Sequence, residues 1–147
     1  MDTEKSVYGI AIDIGTTTLA AELISLTDEI CLKTASSVNH QRAYGADVIS
    51  RIRAAASGDA EKLRESILKD VRDLAETLLA GQDENVLNVS KIVIAGNTTM
   101  IHLLLGYSCV GLGAAPFTPV NLAPEDMTWG ELNGEYEAVS YTHLRAH

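Results

Sequence analysis

The chain has 147 residues, 46% hydrophobic and 21% charged, with 20 acidic against 11 basic side chains and a formal charge of −9. That is one domain's length, too apolar for a disordered chain, too acidic for general nucleic-acid or anionic-membrane binding, and without the ~20-residue apolar run of a membrane span. Two cysteines, Cys31 and Cys109, are too few for a disulfide framework or a four-thiolate metal site, so a soluble, cytoplasmic α/β domain is expected.

Residues 1–6 are short and polar and read as a flexible N-terminus rather than a signal peptide. Val7–Ile14 is an apolar, β-branched run ending in Asp13-Ile14-Gly15, the pattern of a buried strand. Thr18–Leu26 follows at once, Thr27-Asp28-Glu29 makes a polar turn, and Ile30–Val38 reads as a third strand. Three strands with short connections predict an antiparallel meander.

Helical periodicity then takes over. Over Ala46–Ala56, Val48, Ile49, Ile52, Ala55 and Ala56 share one helix face. Ser57-Gly58-Asp59 interrupts it. From Ala60 to Ala80, Leu63, Ile67, Val71, Leu74 and Leu78 form a second stripe, Glu65 and Lys69 make a favourable i,i+4 pair on the outer face, and Gly81 suits the position past the helix end. Ser90–Ala95 has the apolar character of a central parallel strand buried on both faces, and Gly96-Asn97-Thr98-Thr99 opens a helix over Met100–Leu105 closed by Gly106. Pro116-Phe117-Thr118-Pro119 reads as an extended loop. The order β-β-β-α-α-β-α is that of an incomplete ribonuclease H-like α/β half-domain.

Chemistry concentrates at two strand ends. In Asp13-Ile14-Gly15-Thr16-Thr17-Thr18, Gly15 allows a positive φ and leaves space for a bulky group. Successive N–H groups and three threonine hydroxyls could converge on an anion, and Asp13 offers the carboxylate oxygen that Mg²⁺ prefers. A plain hairpin turn uses the same residue types. In Gly96-Asn97-Thr98, a parallel strand runs into a helix N-terminus, a ready anion site, although Asn97 or Thr98 could equally serve as a cap alone. Between them, Asn39, Gln41 and Asp47 are weaker site candidates, Asp47 favouring a helix N-terminus electrostatically. His40 reads as a surface histidine with no carboxylate partner pattern, His102 as a helix-packing one, and both cysteines as small apolar residues.

These residues resemble a known group. The DIGTTT turn is similar to the first phosphate motif of the actin, chaperone-ATPase and sugar-kinase superfamily. Within it, GIAIDIGTTTLAAELISL, NHQRAYGADVISRI, IVIAGNTTMIHLLLG and GLGAAPFTPV resemble the reductive activators of corrinoid proteins, ASKHA-domain ATPases with a ferredoxin-like N-terminus, over residues 7–120. The resemblance implies an N-terminal lobe of an ATPase that, with Mg-ATP, helps return a Co(II) corrinoid protein to Co(I) by an electron from a [2Fe-2S] domain. It implies Mg contact by Asp13, phosphate contacts by Asp13, Gly15, Thr16, Thr17 and Thr18, and a place near the interlobe cleft for Gly96, Asn97 and Thr98. No iron–sulfur cysteine motif, second phosphate motif or adenosine motif is present, and residues 121–138 match poorly, so the chain is expected to be a fragment inactive by itself. Alternatives are another ASKHA-type ATP-using enzyme, such as a sugar kinase or a 2-hydroxyacyl-CoA dehydratase activator, or a non-enzymatic nucleotide-binding regulatory module.

Val139–His147 (VSYTHLRAH) follows no strand or helix pattern prepared by the chain before it, and resembles the in-frame translation of a transposon-end sequencing adapter. It is expected to stand outside the fold, and His143 and His147 are not read as a metal pair. Long-read sequencing of the source locus is expected to show a different continuation after Ala138; recovery of the same nine codons overturns this reading.

Overall fold

The computed structural model describes residues 7–82, 89–113, 119–120, 125–133 and 141–146, with the backbone alone for 125–126, 128–130 and 141–146. Its strands are β1 (Tyr8–Ile14), β2 (Thr18–Ser25), β3 (Ile30–Val38), β4 (Val89–Gly96), β5 (Glu125–Thr128) and β6 (Tyr141–Ala146). Its α-helices are α1 (Val48–Ala54), α2 (Ala60–Leu79), α3 (Thr98–Leu105) and α4 (Trp129–Asn133). The result is a mixed α/β sheet in the order β3-β2-β1-β4-β6-β5. β1 pairs antiparallel with β2 and parallel with β4, β2 pairs antiparallel with β3, and β6 lies parallel to β4 and antiparallel to β5.

Two periodicities build the core. The period of two in β1, β2 and β4 sends Ile10, Ile12, Ile14, Leu19, Leu23, Ile92 and Ile94 to one sheet face, each at most 4% exposed. The helical stripe of α2 meets that face with Leu63, Ile67, Val71, Leu74 and Leu78, none more than 2% exposed. α3 adds Met100, Leu103 and Leu104 to the same cluster. On the opposite face Asp13 is exposed and Val93 and Ala95 are half-buried, so among the described residues β4 is covered by helices on one face, where its sequence predicts two.

The helix boundaries have local causes. α1 starts at Val48, two residues later than its apolar pattern suggests, because Asp47 caps it reciprocally with Ser50. Gly58, at φ +111°, separates α1 from α2 in a backbone conformation that a side chain would strain. α3 begins at Thr98, not Met100, because Asn97 is its cap, and it ends on the left-handed Gly106. Lys69 pairs with Asp73 at 2.7 Å rather than with Glu65. Lys33 reaches from β3 to the carbonyl end of α2, donating to Thr77 O at 2.7 Å and Ala80 O at 3.3 Å.

Residues 141–146, within the segment that the sequence marks as an adapter scar, form β6 in register Lys91↔Tyr141 through Gly96↔Ala146. Strand pairing is made by main-chain groups, so an extended segment beside β4 satisfies its donors and acceptors whatever its side-chain pattern. β5 and α4 likewise follow where the sequence shows no clear continuation. Most of the proline loop over Pro116–Pro119, and all of residues 1–6, lie outside the described residues.

Because Leu63 is fully buried and Leu32 is 38% exposed on the edge strand, the two truncations should differ. Leu63→Ala is expected to cost about 2–5 kcal/mol in urea denaturation, and Leu32→Ala less than about 0.5 kcal/mol.

Candidate functional site

Sheet topology sets the site's location. β1 and β4 are parallel, and β3 shares their direction because both it and β1 run opposite to β2. The segments leaving β1, β3 and β4, which are 15–17, 39–47 and 97, therefore emerge at one edge, the carboxyl edge where open α/β sheets bind ligands. The register Asp13↔Ala95 and Ile14↔Gly96 lays the two sequence motifs side by side.

The first turn is closed by Gly15 N–H donating to Thr18 O at 3.0 Å. Gly15 is not among the positive-φ glycines, which are Gly58, Gly81 and Gly106, so the sequence-based reason for it is corrected. What demands glycine is space, since a Cβ there would lie 2.5 Å from the Thr18 carbonyl oxygen. Thr16 is half-buried, Thr17 and Thr18 are exposed, and Asp13 opens onto the face away from the helices. There a shallow depression of about 230 Å³ is lined by Ala11, Asp13, Ala20, Glu22, Val93 and Ala95.

Gly96 makes the second turn close as well, though less tight, its Cβ position being 3.2 Å from Ile14 O and 3.3 Å from Met100 Cβ. Asn97 does two things. Its Oδ1 accepts from Met100 N–H at 2.9 Å, which is helix capping, and its Nδ2 reaches Thr16 Oγ1 at 3.5 Å, which joins the two turns. Thr98 is the first residue of α3. Gly15, Thr16, Thr17 and Asn97 thus lie in two adjoining turns, and Asp13, Thr18, Gly96 and Thr98 lie on the strand and helix ends that flank them.

The 39–47 connection locks under the first turn. Asn39, fully buried, donates from Nδ2 to Gly15 O at 3.0 Å and from its backbone N–H to Thr17 O at 2.8 Å. Gln41, also fully buried, donates to Leu63 O at 2.9 Å, while its Oε1 has no partner among the described residues. Asp47 is a cap outside the two turns, and hydrogen bonds from Ser50 hold its carboxyl below the usual range. His40 is a surface residue, its side chain 63% exposed, yet it does have a carboxylate partner: Asp70, buried on α2, meets Nδ1 at 2.6 Å and accepts from the His40 N–H at 2.9 Å.

Two further side chains escape a sequence reading. Arg51 is fully buried on α1, donating from Nε to Gly45 O at 2.8 Å, and its Nη2 has no partner among the described residues. Burial pushes its pKa down, against the pull of Asp47. Met100 lies between Arg51 Nη1 and Asn39 Nδ2, its sulfur 3.7 Å from each. The available signal is helical phase: Arg51 falls between Val48 and Ile52 on the apolar face of α1, and Asp70 beside Ile67 and Val71 on that of α2.

His102 packs as expected, fully buried and edge-on to Tyr107 at 5.3 Å. Its Nδ1 donates to Thr98 O and its Nε2 accepts from Val120 N–H at 3.0 Å, which defines the neutral tautomer. Cys31 is exposed, and burial raises the Cys109 thiol to about 11, so Cys109 does not carry the marks of an activated thiol.

Among the described residues no cluster of three or more His, Cys, Asp or Glu could hold a metal by itself, and no helix is long and apolar enough to cross a membrane. A Mg-nucleotide suits what is present: one carboxylate at a strand end, a turn of successive backbone N–H groups and threonine hydroxyls beside it, and an adjacent helix N-terminus.

A family profile described as the RACo middle region matches residues 8–144. The corrinoid activation enzyme RamQ of Eubacterium limosum is 37% identical over 116 residues, which is 78% of this chain and 20% of that protein. A solved structure of a reductive activator for corrinoid, iron-sulfur protein superposes with a TM-score of 0.86 at 34% identity, covering 97% of this chain and 23% of that one. The ethanolamine utilization protein EutJ from Carboxydothermus hydrogenoformans gives a TM-score of 0.41 at 12% identity, covering 72% of this chain and 41% of that one. The chain therefore spans less than a quarter of the length of the first two relatives.

Protonating His102 costs its bond from Val120 and a buried charge, so burial lowers its folded pKa below the ordinary 6.5. The folded chain then binds fewer protons than the unfolded one below about pH 6.5, and stability falls as the pH drops from there. His102→Gln is expected to flatten that slope between about pH 6.5 and 5.5 in urea denaturation.

Proposed function

This chain belongs to the RACo middle region family, and from that membership we propose that it is the N-terminal nucleotide-binding lobe of an ATP-dependent reductive activator of corrinoid proteins. The fold in this reading is a ribonuclease H-like half-domain of the actin and sugar-kinase type. The observation that carries it is the pairing of two tight, glycine-dependent turns at the carboxyl edge, with Asp13 beside one and the N-terminus of α3 in the other.

Each residue has a physical role in that reading. Asp13 holds Mg²⁺, directly or through water, as the single protein carboxylate a phosphate-bound ion needs. Gly15 lets phosphate oxygens approach the main chain, and Thr16, Thr17 and Thr18 supply N–H and hydroxyl donors. Asn97 keeps α3 capped while Gly96 and Thr98 complete the wall facing the nucleotide, where the helix N-terminus favours negative charge. The Mg²⁺ ion, when bound, neutralises phosphate charge. The reaction to be assisted would be one-electron reduction of Co(II) to Co(I) in the partner, with a [2Fe-2S] domain of the parent protein as the electron donor. ATP binding and hydrolysis assist that step, and the corrinoid protein is the partner.

The test uses the full-length protein. Asp13→Asn is expected to weaken Mg-ATP binding by at least about tenfold in titration calorimetry, and to slow Co(I) formation followed by absorbance. Unchanged ATP affinity together with unchanged corrinoid reduction rejects the assignment.

A further inference from the structure

We propose that Asn39 is a positioning residue for the phosphate turn: its buried carboxamide holds the Gly15 carbonyl from behind and thereby aims the Thr16 N–H at the ligand. The proposal rests on the nucleotide reading above and assigns the residue that keeps that site in shape.

Asn39 is fully buried, and its polar groups are engaged. Nδ2 donates to Gly15 O at 3.0 Å, Oδ1 accepts from Gln41 N–H at 3.0 Å, the backbone N–H donates to Thr17 O at 2.8 Å, and the backbone carbonyl accepts from Arg42 N–H at 3.2 Å. The orientation of the amide follows from its partners: Gly15 O needs a donor and Gln41 N–H needs an acceptor, so an inverted carboxamide would lose both bonds.

Gly15 creates the need for this restraint. A residue without a Cβ admits the close contact to Thr18 O, but it also leaves the following peptide free to rotate. In a trans peptide the C=O and the next N–H point in opposite directions. Fixing Gly15 O against Asn39 therefore fixes Thr16 N–H on the side away from it. Capping the 40–43 turn would need only an acceptor, which aspartate or serine also offers; the donor to Gly15 O is what asparagine adds. Asn39 also touches the second turn, since its Nδ2 lies 3.7 Å from Met100 Sδ and Met100 N–H is held by Asn97.

The test compares Asn39→Asp and Asn39→Leu in the full-length protein, with Mg-ATP and with adenosine, which carries no phosphate. Asn39→Asp keeps the size and the Gln41 cap and puts an acceptor against Gly15 O; Asn39→Leu removes both bonds at similar volume. Mg-ATP dissociation constants are expected to rise about tenfold, the scale of one lost hydrogen bond in a binding site, while adenosine affinity changes by less than about twofold. Unchanged Mg-ATP affinity in either folded variant overturns the proposal, as does equal weakening of ATP and adenosine. Asp13→Asn measured in parallel separates the two readings: if it also leaves Mg-ATP affinity intact, the phosphate site itself is misassigned. In the unaltered protein, Mg-ATP is expected to slow hydrogen exchange over 15–18 and 39–42 together, and slowing of 15–18 alone also overturns the role of Asn39.

Discussion

The parallel pairing of β1 with β4 is the constraint on which the rest depends. It joins residues about eighty positions apart and closes the chain between them at an entropic cost that grows only slowly with length. Without it the DIGTTT turn would be a hairpin tip and GNTT a helix cap, each with the ordinary role its residue types suggest. With it, Ile14 and Gly96 become neighbours and the two turns share one rim. The approach is close: a Cβ on Gly96 would lie 3.2 Å from the Ile14 carbonyl oxygen, so a side chain there would need its neighbours to give by a few tenths of an ångström.

Beneath that rim the core is unusually polar. Asn39, Gln41, Arg51 and Asp70 are all nearly or fully buried within three elements that meet under the first turn. Asn39 is satisfied, whereas Arg51 and Gln41 each keep one buried atom without a described partner. A buried guanidinium with no carboxylate contact among the described residues is expensive, and a hydrophobic residue of similar volume would be the more stable choice. Local rules of stability are broken here at the place where the ligand is assigned, which is where such violations are expected.

What was legible in the sequence follows the range of the interactions involved. The meander, the α2 stripe and the two motifs rest on periodicity and turn chemistry within a few residues, and β1–β3, α2, β4 and α3 appear close to their expected limits. The eight motif residues do fall together, because strand direction alone brings those ends to one edge. Contacts between distant segments were not legible. Asp70 lies thirty residues from His40, and Arg51 forty-nine from Met100, and neither spacing leaves a mark in a single chain. β6 is not legible for the opposite reason, since main-chain pairing asks nothing of the side chains that the sequence could display. For Gly15 the sequence suggests a positive φ and room for a bulky group, whereas φ is not positive and a Cβ would meet the protein's own Thr18 O.

The outer strand of the meander bears on solubility. β3 lies at the sheet edge with Ile30, Leu32 and Val38 exposed, and a row of edge peptide groups is a template for another extended segment. Lysine on an edge strand usually guards against such addition, but the amine of Lys33 is turned inward onto the carbonyls of α2. What remains is the register shift opposite Leu23 and Ile24, which leaves Leu32 as the extra residue and interrupts the strand near its start. Past it, Thr34 to Val38 runs without interruption. Keeping two such edges apart falls to the net charge of −9, a long-range repulsion that salt screens.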